Sequence, residues 1–304
     1  MMRLFPLIFA MTLLSFASGI VAQDNAQLQI DGGRIDVDFS AAPADPLRKL
    51  VLEWVSSSAR AVTVYYEKFP VPNLRLRIRF YDGRGVRGGR TTGWDGPAIS
   101  IAVGQSSTAS DFNEDWVLTH EMVHLAFPSV PEEHHWIEEG SATYVEPIAR
   151  VRAGALTAEK VWGDLVEGLP QGLPQSGDRG LDFTPTWGRT YWGGALFCFL
   201  ADIEIRKRTG NKKGLEDALR AILKAGGTIE SDWPLARTIE IGDRATGVTV
   251  LRELYDKMKA APAPVDLPAL WSELGIVRRN GKVEFNDRAP LAPIRKAIMQ
   301  SGPR

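Results

Sequence analysis

Hydrophobic residues recur every three or four positions over much of the chain, and one short stretch alternates strictly between hydrophobic and basic residues. The first helical pattern opens at Asp45 and Pro46, an N-cap residue followed by a proline at the first helical position. Its apolar residues fall at helical spacing, at Leu47, Leu50, Val51, Trp54, Val55 and Val62. Residues 74–80 alternate apolar side chains with arginine, which predicts a half-buried strand. A glycine-rich loop over 82–97 and a second strand, Ala98–Val103, are expected to follow.

The next predicted helix carries hydrophobic residues on every side. It begins at Asp111 and Glu114, which resemble a capping box, and it runs to about Ala126. A helix that is apolar all round is buried between layers of structure. After two prolines a further helix is predicted from Trp136 to at least Glu146, where a proline kinks or ends it.

The second half of the chain is predicted to be mainly helical. A long surface loop is expected at 169–189, and the helices that follow are expected at 190–208, 215–224, 248–259 and 267–274. Asn280-Gly281 predicts a tight hairpin between strands at 277–279 and 282–285. The sequence therefore predicts an α+β protein. An N-terminal α/β lobe with a mixed sheet (23–127) precedes a helical lobe (128–262) and a helix-hairpin extension (263–304).

The first 22 residues have the layout of a secretory signal peptide. Arg3 precedes an uncharged stretch over 4–22, and small residues lead to a cleavage site at Ala22. We expect cleavage and an exported chain, either periplasmic or secreted. The alternative is an uncleaved membrane anchor, because the uncharged stretch approaches a spanning length. A single cysteine, Cys198, permits no internal disulfide and suits a bacterial periplasm.

Composition and charge exclude several classes of protein. Hydrophobic residues make up 44% of the chain and charged residues 24%, as in ordinary globular proteins. The 36 Lys and Arg nearly balance the 37 Asp and Glu, which argues against a dedicated nucleic-acid binder. One cysteine also excludes a zinc-finger type of site, since such a site needs several thiolates.

The buried helix contains His120-Glu121-Met122-Val123-His124. Residues four apart project from the same helical face, so the imidazoles of His120 and His124 can bind one zinc ion. Glu121 lies beside that face, where it can take a proton from zinc-bound water. The chain has four histidines, all between positions 120 and 135. Such clustering is hard to explain as core filling, and it predicts a metal site.

A catalytic zinc site needs a third protein ligand and one open position. The candidates near the two histidines are Glu132, Glu133, His134, His135, Glu138 and Glu139. Glu139 is favoured because it lies on the next predicted helix, which can pack back against the first. His134 and His135 are adjacent in a loop and point apart, so at most one of them can face the site.

Two other patterns are expected to be structural. Residues 83–88 match a dinucleotide-binding fingerprint, but a strand rather than a helix follows them, and a phosphate site needs the helix. Arg75, Arg77 and Arg79 form a basic stripe, extended by three arginines after Tyr81. An anionic surface or an acidic peptide is one interpretation, and the solvated face of an edge strand is the favoured one.

The chain resembles the gluzincin zinc metallopeptidases, most of all the peptidase MA-like and glycyl aminopeptidase-like families. His120-Glu121-Met122-Val123-His124 followed by Trp136-Ile137-Glu138-Glu139-Gly140 carries the likeness. So does Tyr191-Trp192-Gly193-Gly194-Ala195, which opens a long helix that ends in basic residues. The resemblance covers about residues 95–285.

This resemblance implies a thermolysin-like (zincin) catalytic core with one zinc per chain. It implies His120, His124 and Glu139 as zinc ligands, Glu121 as the general base, and Tyr191 as a group that stabilises the tetrahedral intermediate. It also implies that the strand before the active-site helix, Ala98–Val103, pairs with extended substrate.

The chain departs from the families at two places. Gly193 stands where they carry lysine, and residues 97–110 contain no acidic residue, although the glutamate that binds the substrate amino group is expected upstream of His120. The sequence thus predicts an exported zinc metallopeptidase acting on peptides or proteins, with exo- or endopeptidase action open. The alternatives are a catalytically inactive relative that binds peptides or a partner protein, and a plain zinc-binding scaffold. Membrane association is expected only if the signal segment is retained.

Overall fold

The computed structural model of the chain describes residues 25–300. The predicted signal peptide and its cleavage site at Ala22 lie outside the described residues. Within 25–300, no helix is both long enough and apolar enough to cross a membrane.

A five-stranded mixed sheet forms one layer of the N-terminal lobe. Its strands are β1 (Asn25–Ile30), β2 (Gly33–Phe39), β3 (Asn73–Tyr81), β4 (Val86–Thr92) and β5 (Ala98–Gly104). The spatial order is β1-β2-β3-β5-β4, in which β2, β3 and β5 are parallel to one another and the outer strands β1 and β4 are antiparallel to the strands they pair with. The predicted mixed sheet is confirmed, although β1 and β2 were not predicted from the sequence.

One of the two free edges of this sheet belongs to β4, in the stretch predicted as a glycine-rich loop. Gly88 and Gly89 lie within this strand and Gly93 directly follows it. The sequence therefore resembles a loop, because glycine is unfavourable in strands and typical of turns. β5 pairs with β3 on one side and β4 on the other. The expectation that Ala98–Val103 pairs with substrate is therefore wrong, since its backbone groups are already paired.

Helices cover one face of the sheet. Leu74, Leu76 and Ile78 of β3 are fully buried and belong to the same hydrophobic core as helix α1 (Asp45–Tyr66). The helix predicted from Asp111 to Ala126 is two helices, α2 (Ala109–Glu114) and α3 (Val117–His124).

Asp115 separates α2 from α3. It has an extended backbone, and its carboxylate accepts hydrogen bonds from the N–H groups of Val117 and Leu118 at 3.2 Å, which starts the second helix afresh. The capping box of α2 also differs from the prediction, because Asp111 closes it on the backbone N–H of Thr108 at 2.7 Å.

The rest of the chain is helical apart from one small hairpin. Its helices are α4 (His135–Arg152), α5 (Ala158–Gly168), α6 (Gly194–Arg208), α7 (Leu215–Lys224), α8 (Leu235–Thr246), α9 (Val250–Met258), α10 (Leu267–Leu274) and α11 (Ala292–Met299). Strands β6 (Ile276–Arg279) and β7 (Lys282–Phe285) pair around the predicted Asn280-Gly281 turn. α4 continues through Pro147 for another five residues. α5, α8 and α11 were not predicted.

Candidate metal centre

Helix α3 presents two histidines and one glutamate beneath the β4 edge of the sheet. His120 is 4% exposed and Glu121 is 8% exposed, as the apolar pattern of this helix predicted. The rings of His120 and His124 lie on one face with centroids 4.9 Å apart and planes at 79°. Two imidazoles one helical turn apart can therefore direct nitrogens to a common point.

Glu139 reaches the same point from α4. Its Oε2 lies 3.0 Å from His120 Nε2 and 3.5 Å from His124 Nε2. All three ligand atoms fall within 4.8 Å of one another. Two ligands of a tetrahedral zinc ion are about 3.4 Å apart, given metal–ligand distances of about 2.0–2.2 Å. The donor set and its spacing therefore fit a zinc ion with three protein ligands.

The local electrostatics favour the metal-binding forms of His120 and Glu139. At His124 burial opposes protonation, but the Glu139 carboxylate outweighs it and raises the pKa of the imidazole. Burial lowers the pKa of His120, which keeps its imidazole neutral. Burial opposes ionisation of Glu139, but hydrogen bonds with His120, His124 and His135 outweigh it and lower the pKa of that carboxyl. Neutral imidazole and ionised carboxylate are the forms that coordinate zinc.

Glu121 is held against β4. The hydroxyl of Thr91 lies 2.5 Å from Glu121 Oε2 and 2.8 Å from the Glu121 carbonyl oxygen, to which it can also donate. At Gly89 an added Cβ would lie 2.3 Å from Glu121 Cγ and 2.6 Å from Oε1, so only glycine leaves room for this carboxylate. Thr91 and Gly89 were missed in the sequence because their strand was taken for a loop.

Tyr191 closes the other side of the centre. It lies in a single π-helical turn, Gly188–Gly193, that leads into α6, and such turns are frequent at functional sites. Its ring stacks against His120, with centroids 6.2 Å apart and planes at 22°. Burial, and then the charges of Glu139 and Glu121, raise the pKa of Tyr191 to about 12. The hydroxyl therefore stays protonated at neutral pH.

Two glycines set the distance between α4 and α6. A Cβ at Gly140 would lie 2.2 Å from the Cα and carbonyl carbon of Gly194, and a Cβ at Gly194 would lie 2.0 Å from the carbonyl oxygen of Trp136. The two backbones are thus in direct contact beside Glu139, and this contact brings Tyr191 over the ligands. Gly193 is buried, and a Cβ there would lie 3.1 Å from Leu181 and 3.2 Å from Arg189.

The adjacent histidines have separate roles, as the sequence predicted. His135 faces the centre, with Nε2 3.3 Å from Glu139 Oε1 and Nδ1 3.6 Å from Glu138 Oε2. His134 points away and lies 3.1 Å from Asp182, which also accepts a hydrogen bond from Trp136 at 2.8 Å. Of the other candidate ligands, Glu132 and Glu133 are exposed and outside the ligand cluster.

An open cleft of about 520 Å³ gives access to the centre. It is lined by residues of β4, α3, α4, the π-helical turn and the α7–α8 loop, namely Gly88, Gly89, Arg90, Thr91, Trp116, Val117, His120, Glu121, His124, His135, Glu138, Glu139, Tyr191 and Ile229. The volume is within the usual range for ligand-binding clefts, and the three candidate ligands, Glu121 and Tyr191 lie at its wall.

Solved structures share this fold at low sequence identity. An aminopeptidase N family protein from Idiomarina loihiensis matches with a TM-score of 0.63 and 14% identity, over 84% of this chain and 50% of that one. A variant of the M1 zinc metallopeptidase from Deinococcus radiodurans, bound to a Tyr-Ser-Ala substrate, matches with a TM-score of 0.53 and 14% identity. That match covers 81% of this chain and 53% of the other.

These neighbours confirm the predicted two-lobed α+β fold class, and they show that the fold is shared with M1 zinc metallopeptidases. The chain spans about half the length of the structures it matches. No protein-family model matches the sequence. No curated protein matches it either.

Proposed function

We propose that the chain is a zinc-dependent metallopeptidase that hydrolyses peptide bonds with Glu121 as general base. The observation that carries the proposal is the convergence of His120, His124 and Glu139, with Glu121 beside them, at the wall of an open cleft. A structural zinc site would be expected to have a fourth protein ligand and no adjacent base.

The chemistry divides between a bound zinc ion and the residues around it. Zinc held by the three ligands would act as a Lewis acid and make hydroxide available near neutral pH. The Glu121 carboxylate accepts the proton of the attacking water and passes it to the leaving amine. The Thr91 hydroxyl, 2.5 Å from Glu121 Oε2, fixes the orientation of that carboxylate.

Tyr191 would stabilise the oxyanion that forms at the substrate carbonyl. Its hydroxyl lies on the ligand side of the cleft and is protonated at neutral pH, so it can donate a hydrogen bond. A donor aimed at developing negative charge acts most strongly where water is excluded.

Replacing Tyr191 with phenylalanine should lower kcat by about 10²–10³-fold with little change in KM, which is the usual effect of losing one oxyanion donor. The ring still stacks on His120, so the unfolding temperature and the zinc content should not change. Steady-state kinetics on one peptide substrate measure the effect. Tyr255→Phe is the matched control, because its hydroxyl binds Asp182 at 2.9 Å outside the cleft lining. Equal kinetics for Tyr191→Phe and the wild type would remove Tyr191 from the mechanism.

Replacing His135 with alanine should weaken zinc binding by about 10–100-fold, the usual effect of losing a group that orients a ligand. His135 contacts Glu139 Oε1 and leaves Oε2 facing the two imidazoles. Competition with a chromogenic chelator measures the affinity without reference to activity. His134→Ala is the control, since that imidazole contacts Asp182 and not the centre. An unchanged zinc affinity in His135→Ala would show that Glu139 needs no such support.

Substrate class and location are also part of the proposal. The Deinococcus neighbour binds a tripeptide, and we infer that this chain likewise takes peptides or proteins. The signal-like first 22 residues support export to a periplasm or the cell exterior.

Zinc content and peptide hydrolysis test the proposal together. The chain purified without added metal should contain about one zinc ion and should cleave members of a peptide library. Zinc without hydrolysis, but with peptide binding, would favour the inactive binding module. A chain that takes up no zinc on titration would refute the metallopeptidase.

A further inference from the structure

The face of the sheet that the helices leave uncovered is strongly basic. Residues paired across a sheet share a face, and the register places Arg75, Arg77 and Arg79 of β3 on the same side as Arg87 and Arg90 of β4. Arg77 pairs with Ser100, and Ser100 pairs with Arg90. We call these five residues the arginine face.

Small residues separate the two rows of arginines. Ala98, Ser100 and Ala102 of β5 lie between β3 and β4 on this side of the sheet. Neighbouring strands are about 4.8 Å apart, so the two rows of arginine Cα atoms flank a shallow trough about 10 Å wide. Guanidinium groups on both sides of a small-residue floor suit phosphate groups, which arginine binds in bidentate fashion.

Protection of a sheet edge does not explain these charges. The sequence suggested an edge strand, but β3 is the central strand of the five, between β2 and β5. Charges protect a sheet from aggregation at its edges, where backbone groups are unpaired. The arginines of β3 therefore lie where this protection is not needed.

Most of the charges on the arginine face have no ion-pair partner within residues 25–300. Arg75 forms an ion pair with Asp95, and Arg87 lies over the Tyr81 ring, but Arg77, Arg79 and Arg90 have no ion pair there. The acidic residues on this face are two aspartates of β2, Asp36 and Asp38, opposite Arg75 and Arg77. Asp36 is itself bound to Arg34 at 3.0 Å. In a chain of net charge −1, this face is a local concentration of positive charge.

Trp94 lies at one end of the arginine face and is 99% exposed. It belongs to the turn between β4 and β5, and the next residue, Asp95, bonds to Arg75 through both its carboxylate and its carbonyl oxygen. These bonds fix the turn to the face. Tryptophan prefers the interface between water and lipid, where its ring is partly buried and its N–H finds a partner.

We propose that the arginine face and Trp94 form a docking surface for anionic phospholipid membranes. The arginines bind lipid phosphates over the flat sheet, and Trp94 enters the headgroup region. A membrane accounts for the observations better than an acidic protein partner does. The floor of the trough consists of small side chains, which present little apolar surface to a protein partner, whereas the fully exposed tryptophan needs an apolar environment. This surface adds a membrane contact beyond the one expected from a retained signal segment, and it does not depend on the peptidase proposal.

Vesicle sedimentation tests the docking surface. The experiment uses the chain as it is purified after expression, and its intact mass identifies its first residue. We expect binding to vesicles of phosphatidylglycerol and phosphatidylcholine in equal parts, little binding to phosphatidylcholine alone, and weaker binding as salt rises. The triple variant Arg77→Thr, Arg79→Thr, Arg87→Thr should bind about 100-fold more weakly, because each arginine near the surface contributes about fivefold. Trp94→Ser should weaken binding and leave its salt dependence unchanged.

A second triple variant controls for net charge. Arg60, Lys224 and Lys257 are exposed and lie on helices away from the arginine face, and replacing them removes the same three charges. This variant should bind vesicles as the wild type does.

Equal losses of vesicle binding in both triple variants, or no binding to anionic vesicles at all, would overturn the proposal. So would tight binding to polyglutamate without binding to vesicles, which would instead indicate an acidic protein partner. Hydrolysis of a soluble peptide should be equal in wild type and variants, so failure of docking is distinct from failure of the peptidase proposal.

Discussion

Replacing Glu121 with glutamine should lower peptide hydrolysis by about 10⁴-fold, the upper range for a general base. Glutamine has nearly the same shape and keeps an oxygen for the Thr91 hydroxyl, but it cannot accept a proton from water. Because Glu121 is not one of the three converging ligands, zinc content should not change. Single-turnover kinetics on a quenched fluorescent peptide, with zinc measured on the same sample, give both quantities.

Glu133→Gln is the matched control for this prediction. Glu133 is exposed, also lies near the centre in the sequence, and falls outside the ligand cluster. The Glu133→Gln variant should keep full activity. Hydrolysis by Glu121→Gln at more than a tenth of the wild-type rate would assign the base to another residue. Loss of zinc together with activity would show that Glu121 supports the metal rather than the proton transfer.

Replacing Gly140 with alanine should destabilise the protein by about 3 kcal/mol or more and weaken zinc binding. The new methyl group would lie 2.2 Å from the backbone of Gly194, and a backbone cannot turn aside as a flexible side chain can. Overpacking a core typically costs about 1–3 kcal/mol, and this contact is at the severe end of that range. Since Gly140 follows Glu139, separation of α4 from α6 would also displace a ligand. Urea unfolding and chelator competition measure the two effects.

Gly163→Ala is the control for the glycine prediction. Gly163 lies inside helix α5, and a Cβ there would meet only Val283, at an ordinary 3.6 Å. Alanine should stabilise this helix by about 0.5–1 kcal/mol relative to glycine. We expect the free energy of unfolding to fall for Gly140→Ala and to rise for Gly163→Ala. A stable, zinc-binding Gly140→Ala protein would show that the helices can separate at no cost to the centre.

The convergence of the three candidate metal ligands could be predicted from the sequence because it follows simple local rules. His120 and His124 are one helical turn apart, and Glu139 lies on the next helix along the chain. Tyr191 followed from the family resemblance alone, since no local rule connects it with a histidine 71 positions earlier. Its place depends on a π-helical turn and on the contact between Gly140 and Gly194, which are tertiary features.

The parts that the sequence did not predict depend on pairing and packing. β4 contains too many glycines to match a strand pattern, yet its antiparallel pairing with β5 forms the edge that holds Glu121. β3 is the central strand because β1 and β2 lie on one side of it, and these two strands were not predicted. The prediction of a single helix from Asp111 to Ala126 is wrong, because the Asp115 carboxylate caps a new helix within the apolar stretch.

All three candidate zinc ligands come from one stretch of twenty residues, whereas Thr91, which contacts Glu121, and Tyr191, the proposed oxyanion donor, come from far outside it. Closing a short loop costs little conformational entropy, and local contacts form early in folding. We therefore expect a newly folding chain to be able to bind zinc once α3 and α4 have come together. Because Tyr191 lies 71 positions from His120, we expect the turn that carries it to join later, so that metal uptake would report an earlier stage of folding than catalytic competence does.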